Sequence, residues 1–272
     1  MKDFVRPSPC SAGSPADSAS LQPADPTFSH YPSHPPPVGF QLVVLPEHDC
    51  SYLPGRMTTS RAFLAGRMPG EIYRRFMDAG FRRSGKLVYQ PVCTGCRACV
   101  PLRVPVDTFV ATKSQRRCRR KNEDLLLTTG DATPTDEKFD LYRRYVKQWH
   151  GKDDTEDDWD AYVSFLYDSP VESLEFCYRE AGGKLLAVGI CDVCPSSLSS
   201  VYFYFDPAEA GRGLGTFGAL REIDVAREWK IPHYYLGYWV KGCGAMDYKA
   251  NFRPCEILHP DGIWRTRGAS GV

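Results

Sequence analysis

The sequence contains no long hydrophobic run. None of its 272 residues lies in a segment that approaches the roughly 18 consecutive apolar residues of a membrane-spanning helix. The N-terminus also lacks the apolar core of a secretory signal peptide. Both absences predict a cytoplasmic protein without a membrane partner. In that compartment its eleven cysteines indicate reduced thiols or metal ligands rather than disulfides, and their odd number agrees with this interpretation.

An excess of charge of one sign is also absent. The net charge is +1, so the whole molecule does not attract a polyanion by its overall field. The charges are nevertheless separated along the chain, because residues 113–121 carry six basic side chains and residues 153–160 carry six acidic ones. A basic cluster of this density is typical of phosphate binding, and a solvated helix face is the alternative. Its candidate residues are Arg116, Arg117, Arg119, Arg120 and Lys121.

Several common catalytic signatures are missing. No convincing Ser/His/Asp or Cys/His set is visible, so nothing indicates a covalent nucleophile. The glycine turn at residues 211–216 (GRGLGT) has the wrong spacing for a Rossmann fingerprint, and no Gly-Lys-Ser/Thr follows it as in a P-loop. Glycines at a helix start still let backbone N–H groups approach an anionic or carbonyl ligand. Gly213, Gly215 and Thr216 are therefore candidate substrate-binding residues, with a simple capping turn as the alternative.

The composition divides the chain into regions. Residues 1–40 are rich in Pro, Ser, Ala and His, and we predict a disordered tail because they hold too little apolar surface to offset their ordering entropy. We predict a smaller domain with the cysteine loop and the basic run over residues 41–130. An α/β (α+β) domain is predicted over residues 131–267, followed by a short tail over residues 268–272.

Periodicity and turn residues predict the secondary structure. Helices are expected over 70–80, 135–149 and 157–167 and after the glycine turn, and strands over 87–91, 100–106, 174–179, 185–193, 200–205 and 234–240. The second half thus has the order strand, glycine turn, helix and strand. We expect the strands at 200–205 and 234–240 to share one mixed sheet.

The cysteine loop is the main candidate for a metal site. Cys93, Cys96 and Cys99 have the spacing C-x2-C-x2-C, which is typical of a metal or redox centre. A closed zinc or cubane site needs a fourth ligand, and the position that ferredoxins use is occupied here by Arg103. Zinc, an iron–sulfur cluster and a reduced loop without metal are all compatible with this pattern.

An ordered series of short blocks resembles the arginyl-tRNA–protein transferase family over residues 40–265. The blocks are DCSYLPGR at 49–56, GFRRSG at 80–85, YQP at 89–91 with the three cysteines, PLRV at 101–104, SQRR at 114–117, LSSVYFYFDP at 198–207, LGT at 214–216, YLGYW at 235–239 and MDYKA at 246–250. The short cysteine loop and the first block are most similar to the bacterial branch of the family, the aspartate/glutamate leucyltransferases.

The resemblance implies an activity and a fold. Such an enzyme takes leucine from leucyl-tRNA and attaches it to the α-amine of proteins with an N-terminal Asp or Glu, which marks them for degradation in the N-end rule pathway. The second half is expected to be a GNAT-like acyltransferase domain in which aminoacyl-tRNA replaces acyl-CoA. The basic run would then contact tRNA phosphates. The chemistry requires no cofactor, because the tRNA ester is already activated.

The resemblance also suggests roles for individual residues. Asp206 is the first candidate for orienting or deprotonating the amine, although it also suits a turn cap before Pro207. Tyr202 and Tyr238 are expected to line the catalytic cleft. Candidates for binding the acidic side chain of the acceptor are Lys249, Arg82 and Arg83. The alternatives are pairing of the two arginines with local carboxylates and contact of Lys249 with the terminal phosphate of the tRNA. The family's usual lysine before the MDYKA block is Ala245 in this chain, which gives Lys249 more weight.

The fourth ligand of the cysteine loop and the function both have alternatives. Cys50 occupies a family-matching position and is the first candidate for the fourth ligand, and Cys118 is the second. For the function, the alternatives are an arginyl-tRNA–protein transferase, an acetyl-CoA-dependent GNAT enzyme and a tRNA- or metal-binding module without catalysis. Only the transferase family accounts for the whole series of blocks.

Overall fold

A computed structural model describes residues 22–23, 40–150 and 158–268, and only the backbone of residues 22, 23, 149 and 150. The predicted tails lie almost entirely outside these residues, as does most of the acidic run. No helix within the described ranges is long and apolar enough to cross a bilayer.

The secondary structure alternates short strands with six α-helices in the described residues. The strands are β1 Gln22–Pro23, β2 Val43–Val44, β3 His48–Asp49, β4 Met57–Thr58, β5 Ser60–Leu64, β6 Arg82–Ser84, β7 Leu87–Pro91, β8 Val100–Pro105, β9 Leu126–Asp131, β10 Ser173–Arg179, β11 Leu185–Cys194, β12 Ser197–Phe205, β13 His233–Trp239, β14 Glu256–Leu258 and β15 Trp264–Thr266. The helices are α1 Gly70–Asp78, α2 Lys113–Lys121, α3 Asp136–His150, α4 Trp159–Leu166, α5 Leu214–Glu228 and α6 Gly244–Asp247. The helices and strands predicted from the sequence are confirmed, and the largest shift moves one strand start from Ser200 to Ser197.

The smaller of the two main sheets has five antiparallel strands in the order β1-β2-β5-β7-β6. Helix α1 buries Tyr73, Phe76 and Met77, which lie on one face because they are three to four residues apart. These side chains join Phe63 and Val88 of the sheet in one apolar cluster. The helix ends before Gly80, whose φ of 88° turns the chain back into β6.

The larger sheet has eight strands in the order β15-β14-β8-β13-β12-β11-β10-β9. All neighbouring strands are antiparallel except β12 and β13, which α5 connects in parallel. Helix α5 covers one face of this sheet and buries Leu220 and Ile223 in the main core. Helices α3 and α4 cover the other face, where Leu141 and Leu166 are fully buried.

The parallel strands β12 and β13 separate soon after they begin. Their pairing runs from Ser197 opposite His233 to Ser199 opposite Tyr235, and it does not continue through the rest of either strand. A bulge in β12 shifts its register with β11 just after this pairing ends. It lies between Ser200 and Tyr202, which pair with Cys191 and Ile190 of β11. The predicted mixed sheet is confirmed, and its order of strand, glycine turn, helix and strand is GNAT-like. The two strands therefore border a split in the sheet.

The larger sheet extends beyond the predicted second domain. Strand β8 lies between β14 and β13, and β9 forms an edge of the sheet, although β8 precedes residue 131 in the sequence and β9 ends at it. Leu102 and Val104 of β8 are almost completely buried in the main core. The predicted boundary between residues 130 and 131 therefore does not separate the two sheets, because strand pairing joins segments that are distant in the sequence.

Candidate functional site

The glycine turn directly follows β12 and opens α5. Residues Pro207–Arg212 form a 3-10 turn, and Gly213 has the left-handed φ of 71° that glycine adopts without steric cost. A Cβ on Gly215 would meet nothing within 4 Å, so the space beside it is open. Thr216 is half-buried in the same turn of helix. The first amides of a helix lie at its positive end, so this opening suits an anionic or carbonyl group.

Helix α2 carries the basic run and packs beside α5 and the glycine turn. Thr112 and Gln115 begin the helix with a reciprocal capping box. The outer face exposes Arg116, Arg117 and Arg120 to solvent. These three cations of the predicted tRNA-binding set are thus accessible next to the turn.

The other two residues of that set make contacts within the protein. Arg119 forms a bidentate ion pair with Asp224 of α5, at 2.6 and 2.8 Å. Lys121 donates a hydrogen bond to the carbonyl of Gly211 in the turn. Arg119 thus holds α2 against α5, and the exposed Lys121 holds it to the turn. Binding of phosphate by these two residues stays a prediction.

Asp206 caps the 3-10 turn and is nearly fully buried. One carboxylate oxygen accepts from the Ala208 amide, and the other pairs with Arg144 at 2.9 Å and Lys184 at 3.3 Å. Burial raises the pKa of Asp206, but these hydrogen bonds outweigh burial and leave the pKa below its ordinary value. The observed arrangement is the turn cap, and a carboxylate held in this way is a poor proton acceptor.

Tyr202 and Tyr238 lie on the two strands that border the split. Tyr202 is half-buried beside Phe165, with ring centroids 5.1 Å apart. Tyr238 is buried, and its hydroxyl donates to the carbonyl of Gly80 at 2.8 Å. Tyr238 therefore links the larger sheet to the end of α1, and a catalytic role for either tyrosine stays a prediction.

Arg83 crosses from the smaller sheet to the larger one. It donates to both carboxylate oxygens of Asp192, at 2.6 and 2.8 Å, and both side chains are completely buried. Burial lowers the pKa of Arg83, but the Asp192 carboxylate outweighs it and keeps the guanidinium charged. Contact between Arg83 and a substrate would require this buried ion pair to open.

Arg82 and Lys249 meet beside Gly237, where a bulge in β13 shifts its register with β8. Arg82 is buried and donates to Ser199 Oγ at 2.8 Å and to the carbonyl of Ser200. It thus satisfies the β12 backbone just past its last pair with β13. Lys249 lies in the 3-10 turn Tyr248–Asn251, and its Nζ is 3.5 Å from the position of a Cβ on Gly237. The structure therefore brings these two predicted acceptor-binding cations together at the split.

The four cysteines of the predicted metal site are free thiols in the structure. Within residues 40–150 and 158–268, no group of three or more His, Cys, Asp or Glu side chains is placed to hold a metal ion. A metal site on Cys50, Cys93, Cys96 and Cys99 therefore stays a prediction. The Cys93 thiol instead points into the core and contacts the Thr58 hydroxyl at 3.2 Å.

Two buried polar residues near the site were not identified from the sequence. Asn122 follows α2 and bonds to the glycine turn. Glu222 of α5 lies beneath β12 and β13, where Tyr234 donates to its Oε2 atom. Burial raises the pKa of Glu222 to about 7. The spacing of Gln115, Cys118, Arg119 and Asn122 on one helix face was an available signal for Asn122, whereas none marked Glu222.

Comparison with protein families agrees with this arrangement. The model described as "Arginine-tRNA-protein transferase, N terminus" matches residues 48–117, which include the cysteine loop. The model described as "Arginine-tRNA-protein transferase, C terminus" matches residues 137–259, which include the split, the glycine turn and Lys249.

Individual relatives cover most of the chain. The aspartate/glutamate leucyltransferase of Hahella chejuensis is 40% identical over 219 residues, which are 79% of this chain and 93% of that protein. The enzyme of the same name from Thiobacillus denitrificans is 37% identical over 237 residues, with 86% and 98% covered. The solved structure of FemX has a TM-score of 0.42 at 8% identity, covering 74% of this chain and 79% of that one. The chain therefore belongs to the arginine-tRNA–protein transferase family, and it is an aminoacyltransferase that uses an aminoacyl-tRNA and a protein as its substrates.

Proposed function

We propose that this enzyme transfers leucine from leucyl-tRNA to the α-amino group of proteins that begin with Asp or Glu. The name of its curated relatives, which are 37 to 40% identical over most of the chain, supports this choice of donor and acceptor. The new N-terminal leucine would direct the protein to degradation. We place the reaction in the cytoplasm, where charged tRNA is made and used.

One observation carries the proposal: a helix with exposed arginines packs directly against the open glycine turn. Arg116, Arg117 and Arg120 can neutralise phosphates of the acceptor stem, which supplies sequence-independent affinity. The amides at the start of α5 then lie close enough to receive the 3′ end of the same tRNA. An acetyl-CoA-dependent enzyme would need the turn but would leave the arginine face without a role.

The reaction is the aminolysis of an ester. The amine nitrogen attacks the leucyl carbonyl carbon, the bond from that carbon to the tRNA ribose oxygen breaks, and the proton lost by the amine balances the one gained by the leaving hydroxyl. An α-amine has an ordinary pKa of about 7.7–8.0, so little assistance is needed for its deprotonation near neutral pH. Positioning and donors to the developing oxyanion therefore provide most of the rate.

We assign roles to the three predicted catalytic residues on the basis of their contacts. Tyr202 stays the candidate for contact with the reacting groups, since it lies on β12 past the end of its pairing with β13. Asp206 and Tyr238 act as positioning residues, because their polar atoms engage Arg144 and the Gly80 carbonyl.

The acidic side chain of the acceptor is assigned to Lys249. This lysine is half-buried at the bulge of β13, where a carboxylate would be partly shielded from water. Its charge is also felt by the neighbouring Cys243: burial raises the pKa of that thiol, and Lys249 opposes the rise. Arg82 would support the site by holding the Ser200 carbonyl.

Transfer of labelled amino acids tests the donor and the acceptor together. Purified enzyme is incubated with leucyl- or arginyl-tRNA and with peptides that begin with Asp, Glu, Arg or Ala. We expect leucine on the Asp and Glu peptides only. Transfer of arginine would identify the alternative donor, and acetylation from acetyl-CoA would replace the proposal. Specific tRNA binding without any transfer would indicate a non-catalytic module.

A metal on the cysteine loop is a separate proposal. Zinc or an iron–sulfur cluster held by Cys50, Cys93, Cys96 and Cys99 would require the loop to rearrange, since these thiols do not form a ligand group in the described residues. No step of the proposed transfer uses such a group. Elemental analysis after anaerobic purification tests its presence, and Cys96→Ser should lower the metal content if the loop binds it.

A further inference from the structure

Helix α2 and its C-cap residue hold the carbonyls of the glycine turn. Three consecutive carbonyl oxygens each accept a hydrogen bond from a different α2 or C-cap side chain. The bonds run from Lys121 Nζ to Gly211, from Asn122 Nδ2 to Arg212 at 3.0 Å, and from Cys118 Sγ to Gly213 at 3.4 Å. The turn is thus fastened peptide by peptide to one helix.

Asn122 is the centre of this contact. It is fully buried at the C-cap of α2. Its Nδ2 donates to the Cys118 carbonyl at 2.8 Å and to the Arg212 carbonyl, and its Oδ1 accepts from Arg212 Nε at 2.9 Å. One side chain thus fixes both the backbone and the side chain of Arg212, while remaining attached to its own helix.

The orientation of these carbonyls determines where the turn can offer donors. In a trans peptide the C=O and N–H groups point in opposite directions. Carbonyls directed at α2 therefore turn their partner N–H groups away from α2. The partner of the Arg212 carbonyl, the Gly213 N–H, donates to the Ala210 carbonyl at 3.2 Å, so Asn122 sets the shape of the turn from which the first amides of α5 project. Gly213 suits this placement because its φ of 71° lies in the left-handed region, while a Cβ there would be at ordinary contact distance, 3.5 Å, from the Cys118 sulfur.

The same helix presents the phosphate-binding arginines on its opposite face. Arg119, paired with Asp224, fixes the rotation of α2 against α5, so Arg116, Arg117 and Arg120 keep a constant relation to the turn. We propose that Asn122 is a positioning residue that sets the geometry of the donor-binding turn and places it in register with the tRNA backbone. This inference rests on the proposed function, because it assumes that the turn receives the charged end of tRNA.

The test compares charged with uncharged tRNA. Affinities of the full chain for leucyl-tRNA and for uncharged tRNA are measured for the wild type and Asn122→Ala, together with transfer kinetics on an Asp peptide. We expect affinity for uncharged tRNA to stay within about threefold, because the outer arginines remain. Affinity for leucyl-tRNA should fall by about tenfold or more, as is reasonable for loss of several buried hydrogen bonds. The KM for the peptide should not change.

Two further variants separate positioning from general stability. Asn122→Asp keeps the shape and the acceptor for Arg212 Nε but replaces the donor to the Arg212 carbonyl with an oxygen. It should be at least as defective as Asn122→Ala. Gln115→Ala is the matched control, because Gln115 is buried on the same face, where it bonds to Thr112 in the capping box and to the Asn251 carbonyl but not to the glycine turn. At equal fractions of folded protein it should retain the preference for charged tRNA.

The outcomes distinguish this inference from the function on which it rests. Suppose that the wild type transfers an amino acid. If Asn122→Ala then lowers the affinities for charged and uncharged tRNA equally, or lowers neither affinity, Asn122 is structural and the inference is overturned. A loss of preference in Gln115→Ala would also overturn it, since any damage to α2 would then suffice. If the wild type transfers no amino acid from any charged tRNA, the proposed function fails and the inference falls with it.

Discussion

At the residue scale, two cations that meet at Gly237 differ in their burial. Arg82 is buried, and its guanidinium donates to the Ser199 hydroxyl and the Ser200 carbonyl, where the pairing of β12 with β13 ends. Lys249 approaches the same glycine from the 3-10 turn after α6 and keeps partial access to solvent. Arg82 is therefore suited to hold the backbone of β12, and Lys249 is suited to receive a carboxylate.

Replacing Lys249 by Met should depress transfer to Asp and Glu peptides while tRNA affinity stays nearly intact. A charge-assisted hydrogen bond contributes roughly 1.5–3 kcal/mol, so kcat/KM should fall about 10- to 150-fold. Transfer kinetics and tRNA binding measure the two effects, with Lys241→Met as a control on an exposed lysine. A fall in tRNA affinity instead would make Lys249 a phosphate contact, and no change in either would make it structural.

Glu222 should make stability depend on pH. The folded state keeps the proton up to a pKa of about 7, whereas the unfolded chain loses it near 4.5. Stability therefore falls as pH rises through this window, by an amount on the order of 3 kcal/mol above pH 7. Burial raises the pKa of the neighbouring Tyr178, Cys191 and Tyr234, so these groups stay neutral and do not mask the effect.

Glu222→Gln should therefore flatten the pH dependence of the unfolding free energy between pH 5 and 8, with its largest advantage at pH 8. Urea denaturation at each pH measures this, and Glu228→Gln on the exposed part of the same helix is the control. Parallel curves for wild type and Glu222→Gln would show that the carboxyl does not titrate in this window.

At the scale of the element, α2 both packs against the protein and presents cations to solvent, because the helical period places different residues on opposite faces. Gln115, Cys118, Arg119 and Asn122 face α5 and the turn, whereas Arg116, Arg117 and Arg120 face solvent. The basic run is continuous in the sequence, but in the helix its residues are distributed over two opposite faces.

The double variant Arg116→Ala/Arg117→Ala should weaken tRNA binding and flatten its salt dependence. Each phosphate contact contributes about −0.9 to the slope of log K against log salt on duplex nucleic acid, so the slope should become shallower by up to about 1.8. Arg67→Ala/Arg75→Ala removes the same charge from exposed positions near α1 and should leave the slope unchanged. An unchanged slope in the α2 variant would show that these arginines form a solvated helix face and do not bind phosphate.

At the scale of the whole molecule, the ion pair of Arg83 with Asp192 ties the smaller sheet to the larger one. The two residues are 109 positions apart, and neither side chain is accessible to solvent. Phe81 after α1 and Tyr235 of β13 belong to the same apolar cluster, so hydrophobic packing also joins the two sheets. The smaller sheet is thereby held against the strands that border the split.

Removing the arginine should destabilise the protein as a whole. Arg83→Met leaves the buried Asp192 carboxyl without its cation and, among the described residues, with the Ser173 hydroxyl as its side-chain donor, which should cost about 3–5 kcal/mol in urea unfolding. The double variant Arg83→Met/Asp192→Leu should recover much of that loss, because no buried charge remains. Unchanged stability together with lost transfer to acidic peptides would instead support the substrate-binding role predicted from the sequence.

The sequence by itself determined the features that depend on neighbouring residues. Periodicity located the helices around Phe76 and Leu141, and the glycines at 211–215 located the turn before α5. Family blocks located Lys249 and the arginines of α2. These signals are local, because a helix face, a cap or a glycine turn is specified within a few residues.

Only the tertiary structure decided which of these residues share a site. Asn122 meets Arg212 across 90 positions of sequence, and β8 enters the larger sheet through pairing with strands far beyond it. Arg83 and Asp206, expected at the substrate, are engaged by Asp192 and Arg144. Such pairings arise when two distant segments bury their polar groups against each other, and a buried charge or amide requires a partner that local sequence does not name.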